Sequence, residues 1–133
     1  MSVSGAIYTL IHRSSNVASL VGTKIEPDFV PKGTAFPFIV WEKISMQTNP
    51  TSDSQSGYDV YRIEVKSVAV TKTGVETLAG YVRTAMAITA PETVSSVYIH
   101  RVFLDNETDL FTENGGYEGA YTISQDYLIH VKS

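Results

Sequence analysis

The sequence predicts an α+β fold: a mostly antiparallel sheet with two main helices packed on one face, in the order α-β-β-β-α-β-β. Three patterns carry this expectation. In "YDVYRIEVKSVAV", Tyr61, Ile63 and Val65 alternate with Arg62, Glu64 and Lys66, the period of a strand with one wet face. In "TGVETLAGYVRTAMAI", Val75, Leu78, Ala79, Val82 and Met86 fall on one helical stripe. The long strands also come in pairs separated by a single helix, rather than alternating with helices one for one.

The elements follow in order. "VSGAIYTLIHRSS" offers Ser4 as a cap and then Ile7, Leu10 and Ile11 at helical spacing, which predicts a short amphipathic helix. "SNVASLVG" reads as a further turn, with Ser15 or Asn16 as cap and Gly22 as a left-handed stop. "TKIEP" is a short extended piece. "DFVPKGTAFP" carries Pro31, Gly33 and Pro37 and is a loop. "FPFIVWEKISMQ" is a strand, as is "YDVYRIEVKSVAV". Between them lie Thr48, Asn49, Pro50, Thr51, Ser52, Asp53, Ser54, Gln55, Ser56 and Gly57, none of a type usually buried. A tight hairpin needs only about two to five residues, so this segment is an extended arm or flap. The helix over residues 73–88 can be capped by Thr71 or Thr73, and Pro91 follows its end. "SVYIHRVFLD" and "AYTISQDYLIHVK" are the last two strands, joined through a carboxylate-rich stretch and the turn "ENGGYEG".

The 133 residues suit one domain, taken as 1–133 with the flap at about 48–57. The apolar fraction of 43% is ordinary for a globular chain and argues against wholesale disorder. A net charge of -4 and the absence of any Lys or Arg run weigh against coating DNA. The longest apolar runs fall far short of the roughly 20 residues that span a bilayer, so no membrane role is expected. "MSVSGAIYTLIHRSS" has no basic leader, and no signal peptide is expected. Without cysteine there are no disulfides, thiolate ligands or thiol nucleophiles, in keeping with a reducing compartment.

The most conspicuous cluster of possible chemistry is "FLDNETDLF", where Asp105, Glu107 and Asp109 stand at alternate positions. An EF-hand loop built on them needs Gly at the next ligand-free turn position and an acid at its twelfth; Leu110 and Gly116 stand there instead. The stretch is then either the solvated end of a strand or a surface that meets a partner. His100 and His130 fall in strands that can be neighbours, and Asp126 or Asp105 would complete a small metal site, but two strand histidines are more often cross-strand partners or surface residues. The zinc-protease helix, the nucleophile elbow, the phosphate loop and the dinucleotide fingerprint are all missing from the sequence. Tyr58, Tyr61, Arg62 and Lys66 resemble a nucleic-acid stripe, but Asp59 and Glu64 cancel its field. Trp41 and Tyr127 are expected as core or interface anchors. No catalytic residue, cofactor site or metal site is assigned.

The order and spacing of several segments resemble the small tail-completion, or tail-terminator, proteins of long-tailed bacteriophages and prophages. An N-terminal helix leads into "LVGTKIEPDFVPKGTAFPFIVWEKIS", with "LVG", "KI", a Pro-rich loop and "PFIVWEKIS" in sequence. "YRIEVKSVAVTKTGVETLAGYVRTAM" is similar to that family's strand followed by a helix. "VFLDNETDLF" and "YTISQDYLIHV" are similar to its closing strand pair. The likeness runs from about Ala6 to Val131. It implies a structural protein, not an enzyme: a ring, usually of six copies, in the virion tail, assembled in the host cytoplasm. Such a ring caps the tail tube where it meets the head, stops tube growth and offers a surface to the head connector. The implied partners are other copies of the chain, the tail tube protein and the connector or stopper protein, while DNA passes through the lumen without sequence-specific binding.

A closed ring needs two different complementary patches on each subunit. The flap at 48–57 is a candidate for reaching a neighbour or the tube. Asp105, Glu107 and Asp109, with Glu113 and Glu118, are candidates for lining the lumen, where acidic groups repel phosphate and let DNA slide. The competing readings are another virion morphogenesis protein, such as a head-connector or minor tail component, and a small enzyme or metal-binding domain using His100, His130 and nearby acids.

Overall fold

The computed structural model describes residues 3–31, 33–49, 58–112 and 120–132. The elements run α1 (Val3–His12), α2 (Ser15–Val21), β1 (Ile25–Pro27), β2 (Phe38–Asn49), β3 (Tyr58–Ala69), α3 (Lys72–Met86), β4 (Glu92–Val94), β5 (Val97–Thr112) and β6 (Ala120–Lys132). The architecture is α+β, as expected, with one more helix and one more strand than the expected order. The six strands form one sheet in the order β1-β2-β3-β6-β5-β4. Only β1 lies parallel to its neighbour, so the sheet is mixed and mostly antiparallel.

Local chemistry explains each boundary. Ser4 lies inside α1, not at a cap, because the helical pattern of Ala6, Ile7, Leu10 and Ile11 already reaches back to Val3. The cap of α2 is Ser14, rather than Ser15 or Asn16: its hydroxyl accepts from the Val17 amide at 3.3 Å. Gly22 ends α2 at φ 62 and ψ -123, and its amide donates to the Ala18 carbonyl. The positive φ favours glycine, although ψ lies outside the left-handed helical region. Thr71 caps α3 through its hydroxyl on the Gly74 amide at 2.9 Å.

The added strand β4 closes on β5 through Ser95 and Ser96, with Val94 paired to Val97. Both serines have positive φ, 48 and 69, which is the geometry of a two-residue type I′ turn. Asn-Gly is the usual sequence signal for such a turn, so the Ser-Ser pair left it unannounced.

The core lies between the helices and alternate residues of the sheet. Ile7, Leu10 and Ile11 of α1, Val17 and Val21 of α2, and Leu78, Val82 and Met86 of α3 share one buried cluster with Ile39, Trp41, Ile63, Val65, Tyr127 and Ile129. Burying each large apolar side chain contributes about 1.5–3 kcal/mol, which is why the helical stripe and the strand alternation had to meet. On the opposite sheet face a smaller cluster of Phe38, Val40, Val68 and Ala120 packs against Val30 and Phe36. The Pro-rich loop therefore covers one end of the face that the helices leave bare.

Candidate functional site

Asp105, Glu107 and Asp109 all lie within β5, which runs on to Thr112, seven residues past the strand end expected at Asp105. Nor do they share a face. The ladder to β6 slips between Leu104 and Asn106, so Asp105 occupies a β-bulge. Below the bulge, Glu107 stands opposite Gln125 and Asp109 opposite Ile123, on the helix side. Asp105 instead meets Arg62 on the bare face, with Oδ2 3.0 Å from Nη1. Arg62 also approaches Asp126 at 3.9 Å. Burial, then the Glu64 carboxylate, push the Asp126 carboxyl above its ordinary range, against the pull of Arg62.

Each of the three acids has a cation near it. Glu107 accepts from Gln125 Nε2 at 2.8 Å and lies 4.0 Å from Arg83. Asp109 lies 3.8 Å from Lys72, at the start of α3. The arrangement distributes negative charge over two faces instead of converging it on one point. Among the described residues no group of three His, Asp or Glu side chains is placed to hold a metal ion.

His100 and His130 lie on adjacent strands, but His100 sits at a second bulge, between Ile99 and Arg101, and it is Arg101 that pairs with His130. Their rings engage aromatics: His100 meets Tyr98 edge-on at 5.0 Å and His130 meets Phe103 edge-on at 5.5 Å. Burial, then the charges of Arg101 and His100, hold the His130 imidazole below its ordinary range. Asp126 is four residues from His130 along β6, roughly 13 Å in an extended strand, and Asp105 is engaged by Arg62. The histidine–acid site considered from sequence is therefore not assembled. His12, on α1, stacks on Tyr8 at 5.1 Å.

Of the flap, Thr48 and Asn49 are the last residues of β2, and Asn49 pairs with Tyr58 at the start of β3. Residues 50–57 lie outside the described residues, as do Glu113, Gly116, Glu118 and the "ENGGYEG" turn. Every described side chain from Glu42 to Thr48 is exposed, so this half of β2 leaves the core as an arm. A cleft of about 410 Å³ opens beside its root, with Trp41, Lys43, Tyr61 and Ile63 in its walls. Its polar groups are Ser4, Asp28 and Lys43, and the Lys43 ammonium lies 5.8 Å from the Tyr61 ring. This set has no nucleophile paired to a base.

What the sequence reading missed is a set of exposed apolar side chains at the two sides of the sheet. Ile44 and Met46 stand on β2, 48% and 46% exposed; Phe103 and Leu104 stand on β5, 43% and 36% exposed. β1 covers only Ile39–Trp41 of the β2 edge, and β4 only Val97–Ile99 of the β5 edge. Among the described residues no strand pairs with the outer side of Glu42–Asn49 of β2 or of Arg101–Thr112 of β5. The signal in the sequence was that Ile44 and Met46 continue an apolar run after the phase set by Ile39 and Trp41 has broken. Among the described residues no helix is long and apolar enough to cross a membrane.

Residues 5–131 match the model of a family described as tail completion protein gp17. Among solved structures, a chain from the virion of a native gene transfer agent particle superposes with a TM-score of 0.77 at 15% identity. The alignment covers 99% of this chain and 96% of that one. No curated protein matches the sequence.

Proposed function

Because this chain belongs to the tail completion protein gp17 family, a family of structural phage tail proteins, we propose that it acts as the ring, of six copies, at the head-proximal end of the tail tube. There it stops tube growth and joins the tail to the head connector. The match to the family across residues 5–131 is the observation that carries this reading. One feature of the molecule supports it: two strand edges without a neighbouring strand among the described residues lie on opposite sides of one sheet. The likeness of fold to a virion component agrees with a place in the tail, reached after assembly in the host cytoplasm.

On this reading the partners are further copies of the chain, the tail tube protein and the connector or stopper protein, with DNA passing through the lumen unread. The arm formed by β2 and β3 carries the flap at 48–57 towards a neighbour or the tube. Asp105, Glu107 and Asp109 contribute to interfaces singly, since they face two sides of the sheet. The test is electron microscopy of particles made without the protein. Overlong or headless tails are the expected result, and tails of normal length joined to heads would overturn the reading.

A further inference from the structure

We infer that neighbouring copies join edge to edge, the open stretch of β5 in one copy pairing antiparallel with the open stretch of β2 in the next. This inference rests on the ring reading above and adds to it the contact surface and its register. Unpaired strand edges hold rows of free amides and carbonyls, which soluble proteins normally cover or blunt. Here β1 and β4, three residues each, leave Glu42–Asn49 of β2 and Arg101–Thr112 of β5 without a neighbouring strand among the described residues.

The pairings within the sheet show that the two open stretches lie at the same height. Ser45, Arg62, Leu128 and Phe103 form one rung across β2, β3, β6 and β5. Lys43, Ile63, Tyr127 and Leu104 form another. The exposed pair Ile44 and Met46 on one side is thus level with the exposed pair Phe103 and Leu104 on the other.

Strand direction agrees. Each pairing from β2 through β3 and β6 to β5 is antiparallel, so β5 runs opposite to β2. A copy rotated about an axis along the strands therefore presents its β2 antiparallel to the β5 beside it. The two edges are different surfaces, which makes the contact heterologous and allows it to close into a ring.

The chain contains no cysteine, so engineered pairs report without background. Ser45 and Phe103 stand on the same face and rung but three strand spacings apart, roughly 14 Å, too far for a disulfide within one chain. Oxidising Ser45→Cys/Phe103→Cys protein should give a ladder of covalent multimers ending at the closed ring. Ser45→Cys/Thr108→Cys, four rungs out of register, should not, and neither single variant should pass beyond a dimer. A ladder from the Thr108 pair in place of the Phe103 pair would overturn the register. No ladder from protein that light scattering shows to be assembled would overturn edge pairing and leave the ring reading standing. A chain that stays monomeric at millimolar concentration would also overturn edge pairing. The ring reading is judged separately, by tail length in particles made without the protein.

Discussion

The Gln125 carboxamide ties Glu107 of β5 to the backbone of α3, donating from Nε2 to Glu107 Oε1 at 2.8 Å and to the Ala79 carbonyl at 3.1 Å. Its Oε1 accepts from the Tyr127 hydroxyl at 2.9 Å. Gln125 is fully buried, so a polar side chain holds helix to sheet within a mostly apolar layer. Burial pushes the Tyr127 hydroxyl well above its ordinary range, which keeps it a donor. Replacing Gln125→Met strands that hydroxyl and should cost about 1–3 kcal/mol. Adding Tyr127→Phe should cost less than the sum of the two single changes. Urea unfolding of the four proteins checks this, and additive effects would show that the pair is not coupled.

Leu78 is fully buried on α3, in the cluster shared with α1, α2 and the sheet. Leu78→Ala should destabilise the domain by about 2–5 kcal/mol, the range for leucine truncation in a packed core. Thermal or urea unfolding measures it. A loss within about 0.5 kcal/mol, typical of surface positions, would contradict the packing.

The three acids of β5 should respond differently to substitution. Asp105 and Asp109 make partly exposed ion pairs with Arg62 and Lys72, so Asp105→Asn and Asp109→Asn should each change stability by less than about 1 kcal/mol. Glu107→Ala removes an acceptor from buried Gln125 and should cost more than either, about 1 kcal/mol or above. On the proposed function, changing all three to their amides weakens head joining or slows DNA ejection while the fold melts near the wild-type temperature. Wild-type joining and ejection would remove the acids from those roles.

Stability should depend on pH through two groups of opposite sign. The folded His130 resists protonation, so the unfolded chain takes up its proton first as pH falls below 6.5, and stability drops there. The folded Asp126 accepts its proton before the unfolded chain does, so stability rises as pH falls towards 3.8. His130→Gln should flatten the first slope and Asp126→Asn the second. Denaturation midpoints measured across this range, for each variant, test both signs.

Because Asn49 and Tyr58 already pair, replacing residues 50–57 with a two-residue Asn-Gly turn should leave the unfolding midpoint nearly unchanged. If the flap reaches a neighbour or the tube, the shortened protein folds but fails to complete tails. Normal tail completion in an infection assay would remove that role.

How far the sequence was readable follows the strength of its periodicities. The α3 stripe of Val75, Leu78, Ala79, Val82 and Met86 is buried as expected, and Ile63 and Val65 face the core as the β3 alternation requires. β4 was missed because three residues carry too little pattern and its Ser95–Ser96 turn uses positive φ without glycine or asparagine. The acids were misplaced for a different reason. Counting by twos assigns Asp105 to the face of Glu107, but a bulge adds a residue to one strand and inverts the count. The unpaired edges were invisible to any local pattern, since they depend on how short β1 and β4 are relative to the strands they flank.

The two bulges in β5 cancel. Ile99 and Glu107 point to the helix side, as uninterrupted counting would give, while Arg101, Phe103 and Asp105 in the window between them are turned to the bare side. The strand thus swaps the orientation of a short central insert without disturbing its anchorage at either end. Deleting His100 or Asp105 should close its own bulge and leave every other residue of β5 on the face it now occupies, so either deletion, and both together, should keep Arg101 and Phe103 on the bare side. In alignments of relatives, one-residue gaps at these two places should therefore appear independently of one another.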